Sequence, residues 1–143
     1  MTEKKLTLCG HDVTMIYCAA TEDGFERISQ KSIAVFVPKF GKNDNGDDII
    51  VEPAQATIGD MMLLGLAGII AYCTRENIEV PISSNDLLFN ITAKERNQLI
   101  DAVVELRNEW YEVPKVVADD IADERKKQES DDDGDNADQE PKN

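Results

Sequence analysis

MMLLGLAGIIAYC, Met61–Cys73, is a 13-residue apolar run bounded by Asp60 and Arg75. Crossing a bilayer takes about 20 apolar residues, so the run predicts a buried core helix rather than a membrane segment. Being apolar all round, that helix must stand at the centre of the core. Thr57-Ile-Gly-Asp60 has capping-box spacing with Asp in place of Glu, which sets the helix at about Ile58 to Arg75. Gly65-Leu-Ala-Gly68 makes one face small, inviting a second helix to approach closely.

Downstream, Pro81 ends a polar joint, and Ser83-Ser-Asn-Asp86 can cap a short helical turn over Leu87–Phe89. Thr92-Ala-Lys-Glu95 is a capping box for a further helix. Leu99, Val103, Leu106 and Trp110 follow at i, i+4, i+7 and i+11, and Ile100 and Val104 widen the stripe. Arg96, Asp101, Glu105 and Glu109 fall on the wet faces, and Pro114 stops the helix. Trp110 reads as the large residue that closes the core, whereas Tyr111 lies off the stripe and fits an anchor for a partner. Val116, Val117 and Ile121 could form a docking segment. After Lys127 no apolar cluster remains, and disorder is expected.

Upstream, Leu6–Cys9 and Val13–Tyr17 alternate apolar and polar residues around Gly10-His11-Asp12, which predicts a β-hairpin. Thr21 is a candidate cap for a short helix carrying Phe25 and Ile28, weakened by Gly24. Ile33–Val37 and Ile49–Val51 flank the polar stretch Gly41–Asp48 and predict a second hairpin. Pro38 places its first strand at an edge or ends it; continuation of the preceding helix through Ile33–Phe40 is the alternative. The expected fold is α+β and predominantly helical: a globular domain over 1–118, with a β-rich part at 1–53 and a helical part at 54–118. An acidic tail follows at 119–143.

Net charge is −14, from 15 basic and 29 acidic residues. Residues 119–143 hold 11 acidic and 4 basic side chains, so about half of the excess lies in a sixth of the chain. A nucleic-acid binder needs a basic footprint, and anionic membranes repel such a charge. The expected partner is therefore protein, with neither nucleic acid nor membrane as a target. Three cysteines and a start without an apolar segment point to a reduced, cytoplasmic setting.

Cys9, His11, Cys18 and Cys73 match the ligand number of a structural zinc site. Their spacing fits no common knuckle, and Cys73 closes a buried helix, so core filling is the better reading and no metal is expected. One histidine, with no base beside a Ser or Cys nucleophile, leaves no catalytic set, and no glycine-rich phosphate loop follows a strand. Neither enzyme activity nor a cofactor is expected. Glu129–Gly134 with Glu140 echoes a calcium loop, but Glu opens it and Pro141 precludes an exiting helix. Asn90-Ile-Thr92 is formally a glycosylation sequon, with Thr92 better explained as a cap.

Taken together, Met61–Glu76, Leu87–Phe89 and Thr92–Pro114 resemble the tail assembly chaperones of long-tailed bacteriophages and prophages. The likeness rests on a Thr-Glu…Phe-Glu segment, a small-residue apolar helix ending Ala-Tyr-Cys-Thr-Arg, and a helix ending Glu-Trp-Tyr-Glu-Val-Pro. It covers residues 13 to 117 and is one of pattern. The first hairpin and the Gly41–Asp48 loop depart from the all-helical pattern that the resemblance implies. It also implies that the chain coats the helical tape-measure protein and keeps its apolar surface soluble before the tail tube polymerises. Several copies would then assemble on one client. In many members of that family a frameshifted, longer minor form recruits tail-tube protein, and at Arg125-Lys-Lys-Gln128 adjacent lysine codons could supply the shift.

A chaperone of a helix needs an apolar groove lined by small and aliphatic residues. The Gly65/Gly68 helix and the Leu99–Trp110 helix are expected to form it, with client contacts at Leu66, Ile69, Leu99, Val103, Tyr111 and Val113. Two other classes compete. An acidic DNA-mimic inhibitor of a mobile element would array carboxylates on a rigid face, whereas here they concentrate in the tail. A structural head–tail connector would close into rings without a client.

Overall fold

A computed structural model describes residues 1–112. Its element order is β1 (Lys4–Leu8), β2 (His11–Met15), α1 (Ala19–Ser29), a 3₁₀ turn (Ile33–Phe36), β3 (Lys39–Lys42), β4 (Asp48–Glu52), α2 (Ile58–Glu76), α3 (Ser84–Phe89) and α4 (Ala93–Trp110). The fold is α+β and leans to helix, with two separate two-stranded hairpins. Met1–Arg107 forms one compact unit, and a second begins at Asn108. The expected boundary at 118 and the tail from 119 lie outside the described residues.

The first hairpin turns on two residues, Cys9 and Gly10, with φ of 52° and 79°. Two consecutive positive values match the right-handed twist of the flanking strands. Leu6 then faces Val13, and Leu8 faces His11. Leu8, Val13 and Met15 are buried beneath it. The strand ends on α2, where the Ile16 N–H donates to the Gly68 carbonyl at 3.2 Å. This contact explains Gly68: a Cβ there would lie 2.6 Å from Met15 Cγ and 2.7 Å from the Ile16 carbonyl oxygen.

Helix α2 begins as the sequence predicts. The Thr57 hydroxyl accepts from the Asp60 N–H, and Asp60 accepts in turn from the Thr57 N–H, both at 3.0 Å. Asp60 is buried and also takes the Lys31 ammonium at 2.9 Å. Burial pushes its carboxyl up, but the Thr57 and Lys31 hydrogen bonds carry it below the ordinary carboxylate value. By length and composition α2 could cross a membrane, yet more than half of it is buried inside the domain, including Leu64, Leu66, Ala67, Ile69, Ala71 and Cys73. It ends on Asn77 in the left-handed region.

Helix α1 packs on α2 with Gly24 over Ala67, where an added Cβ would meet that methyl at 3.5 Å. Its cap differs from expectation. Cys18 is the N-cap, and Thr21 sits one turn in, accepting from the Cys18 N–H at 3.1 Å and donating to the Ile16 carbonyl at 3.0 Å. A buried threonine hydroxyl thus ties the end of the first hairpin to the first turn of α1.

The second hairpin exists, but its first arm lies later than Ile33–Val37. Ser32 caps a 3₁₀ turn there by accepting from the Ala34 N–H. That turn drives Phe36 into the core against Phe25, with ring centroids 4.9 Å apart. The apolar run is used for one inward-pointing aromatic, and Pro38 separates it from β3. Strand β3 then pairs with β4 through Phe40–Ile50, Gly41–Ile49 and Lys42–Asp48.

Helix α4 starts with the predicted Thr92/Glu95 box. It buries Leu99, Ile100, Ala102, Val103 and Leu106. It ends at Trp110, and Glu112 takes a positive φ of 56°. Trp110, expected to close the core, is 44% exposed.

Candidate functional site

The small-residue face of α2 is not the open groove that the sequence suggests. A Cβ at Gly65 would stand 2.6 Å from Leu99 Cδ1, so Leu99 already fills that notch. Gly68 is filled by Met15 and the Ile16 backbone. Leu66, Ile69, Leu99 and Val103, expected as client contacts, are all buried at 4% exposure or less. They hold the core, and a client would reach them only by opening the domain. Tyr111 is 48% exposed; Val113 lies outside the described residues.

An open apolar groove does occur on another side of α2, against α1. Its cavity is about 520 Å³. Ala20, Gly24 and Ile28 line it from α1, and Ile70, Ala71 and Thr74 line it from α2. Ile16 and Cys18 contribute from the connecting segment, and Met1 lies along it. On α1 the spacing 20, 24, 28 keeps the lining on one face over two turns, and 70, 71 and 74 share one face of α2 over about one turn. Gly24 and Ala20 keep the wall low, and Ile28, 41% exposed, forms an aliphatic shoulder.

Asp23, Arg27 and Arg75 complete the lining and bring charge to the groove. Arg27 pairs with Asp23 at 2.9 Å. Arg75 donates to Glu3 at 2.7 Å and to Glu76 at 2.9 Å, and its guanidinium stacks 5.4 Å from the Tyr72 ring centre. These pairs hold long side chains beside the apolar floor, and an apolar centre with a polar rim is the anatomy of protein interfaces. The sequence carried this signal in Ala20, Gly24 and Ile28. Gly24 reads there as a weakness of the helix rather than as a low wall.

The cysteines do not converge. Cys9, in the first turn, donates to the Asp86 carbonyl at 3.6 Å. Burial, then Glu95 and Asp86, push its thiol up, and burial does the same for Cys73. Both shifts favour the thiol over the thiolate. Among the described residues no three His, Cys, Asp or Glu side chains gather as a metal-ion cluster. His11, the single histidine, is exposed in β2.

Comparison of the chain with protein-family models, curated proteins and solved structures finds no match.

Proposed function

We propose that this chain is a non-enzymatic tail assembly chaperone that binds the helical tape-measure protein and keeps it soluble before tail-tube polymerisation. The observation that carries the reading is the α1/α2 groove: an apolar trough with small residues in its wall and ion pairs on its rim. Its α1 wall runs over two turns and its α2 wall over about one, and an amphipathic helix buries its apolar stripe in such a trough. The resemblance of the Met61–Pro114 region to such chaperones points to the same kind of client. A charge of −14 favours solubility while the client's apolar surface is being covered. The setting for this role is the bacterial host cytoplasm, and a longer form would add the tail-tube protein as a second partner.

Co-expression with the products of its neighbouring genes, followed by affinity capture and mass spectrometry that looks for a long helical client, tests the reading. The expected result is a soluble complex with several copies of this chain per client. Ala20→Trp, which fills the groove from an exposed position, abolishes the complex and leaves the fold unchanged. A client that stays insoluble beside the wild-type chain contradicts the proposal. So does capture of a DNA-processing enzyme that salt releases, which favours the DNA mimic.

A further inference from the structure

The β3–β4 ribbon lies outside the groove. Its two strands pair only with each other among the described residues, and every residue of β4 is exposed. It is nonetheless apolar: Phe40 and Ile50, 63% and 58% exposed, face each other across the pair, and Ile49 and Val51 are exposed beside them. A lone two-stranded ribbon is marginally stable in water, and its open edges invite another strand.

The charges decide which strand. On β3 both charged residues are basic, Lys39 and Lys42; on β4 both are acidic, Asp48 and Glu52. Within the ribbon Lys42 meets Asp48 at 2.6 Å and Lys39 meets Glu52 at 3.5 Å. Antiparallel pairing of β4 with the β4 of a second copy, centred on Ile50, would set Asp48 opposite Glu52. Pairing β3 with β3 would set Lys39 opposite Lys42. Like charges directly opposite are destabilising. Pairing β4 with the β3 of a second copy, Ile50 against Phe40, sets Asp48 against Lys42; repeating the irregularity that the internal register has between Lys39 and Phe40 also sets Glu52 against Lys39.

The backbone is ready for that pairing. The Asn43 N–H donates to the Asp47 carbonyl at 3.0 Å. Antiparallel alternation from that pair makes Gly41–Ile49 the next hydrogen-bonded pair, so the amide groups of Phe40 and Ile50 face outward. We infer that copies of this chain associate head to tail through the ribbon, the β4 edge of one copy on the β3 edge of the next. Such a contact is heterologous and leaves a free edge at each end, so it adds copies in an open series rather than closing a pair.

Analytical ultracentrifugation of the full chain, without a client, tests this independently of the proposed function. The expected result is a graded series of species that grows with chain concentration. Ile50→Pro removes an outward N–H at a fully exposed strand and returns the chain to monomer with an unchanged circular dichroism spectrum. A second variant, Lys39→Glu, Lys42→Glu, Asp48→Lys and Glu52→Lys together, keeps the internal ion pairs in reversed order. It associates with itself but does not co-assemble with the wild type in a two-colour energy-transfer assay. A wild type that stays monomeric up to millimolar concentration overturns the inference. So does a single closed species at all concentrations, association that survives Ile50→Pro, or free mixing of the reversed variant with the wild type.

Discussion

The two hairpins are nearly equal in strand length and opposite in use. In the first, Leu8, Val13 and Met15 point into the core, and the strand that follows is bonded to α2 through Ile16 and Gly68. In the second, Phe40, Ile49, Ile50 and Val51 are at least as apolar, yet all four are exposed. β propensity therefore does not decide burial. What decides it is whether the chain at the end of the ribbon has a notch to enter, and Gly68 provides that notch only for the first.

Truncation of the anchored hairpin should give the largest effect. Met15→Ala empties a fully buried position against α2 and should cost about 3 kcal/mol in denaturant unfolding. Gly68→Ala attacks the same joint from the other side. Its methyl meets the Ile16 carbonyl oxygen, a backbone atom that cannot swing away. Overpacking then outweighs the helix-propensity gain, for a net loss of about 2 kcal/mol in the same experiment.

Asp60→Asn removes the charge that links the α2 cap to Lys31 and should cost about 1.5 kcal/mol. The pH dependence has a definite sign. Asp60 titrates below its ordinary value of 3.8 in the folded chain, so the unfolded chain takes up the proton first as pH falls. The stabilisation is complete above that ordinary value and is lost as pH drops through the lower folded value. Unfolding midpoints measured across that window should show a shallower acid limb in Asp60→Asn than in the wild type.

Gly24→Ala should move stability the other way. The added methyl makes ordinary contact with Ala67 at 3.5 Å, and the helix gains about 0.5 kcal/mol. The matching change in the second hairpin, Ile50→Ser, should alter monomer stability least, by less than about 0.5 kcal/mol, because that side chain is already in water. A large loss there would show that the ribbon is anchored after all, and would erase the contrast between the hairpins.

Much of this fold was legible in the sequence because its signals are local. Thr57/Asp60, Ser83/Asp86 and Thr92/Glu95 are complete capping boxes within four residues, and Met61–Cys73 is too apolar to lie anywhere but the core. What was not legible depends on long-range partners. Ile33–Phe36 has strand composition, but Phe25 draws Phe36 inward and Ser32 caps a 3₁₀ turn instead. The expected groove is filled for the same reason. Gly65 and Gly68 mark a close approach in any sequence, and only the structure shows that Leu99, Met15 and Ile16 already occupy it. The open groove lies on Ala20, Gly24 and Ile28, a face that the sequence presents as a weak helix.

Hydrogen–deuterium exchange of the full chain, alone and in complex with the proposed helical client, shows whether the α1/α2 groove receives a helix. A helix seated there adds protection in Ala19–Ser29 and in the last two turns of α2 and leaves the amides around Leu99 and Val103 unchanged. Protection confined to other segments, or opening of the Leu99–Val103 core on binding, would contradict that seating.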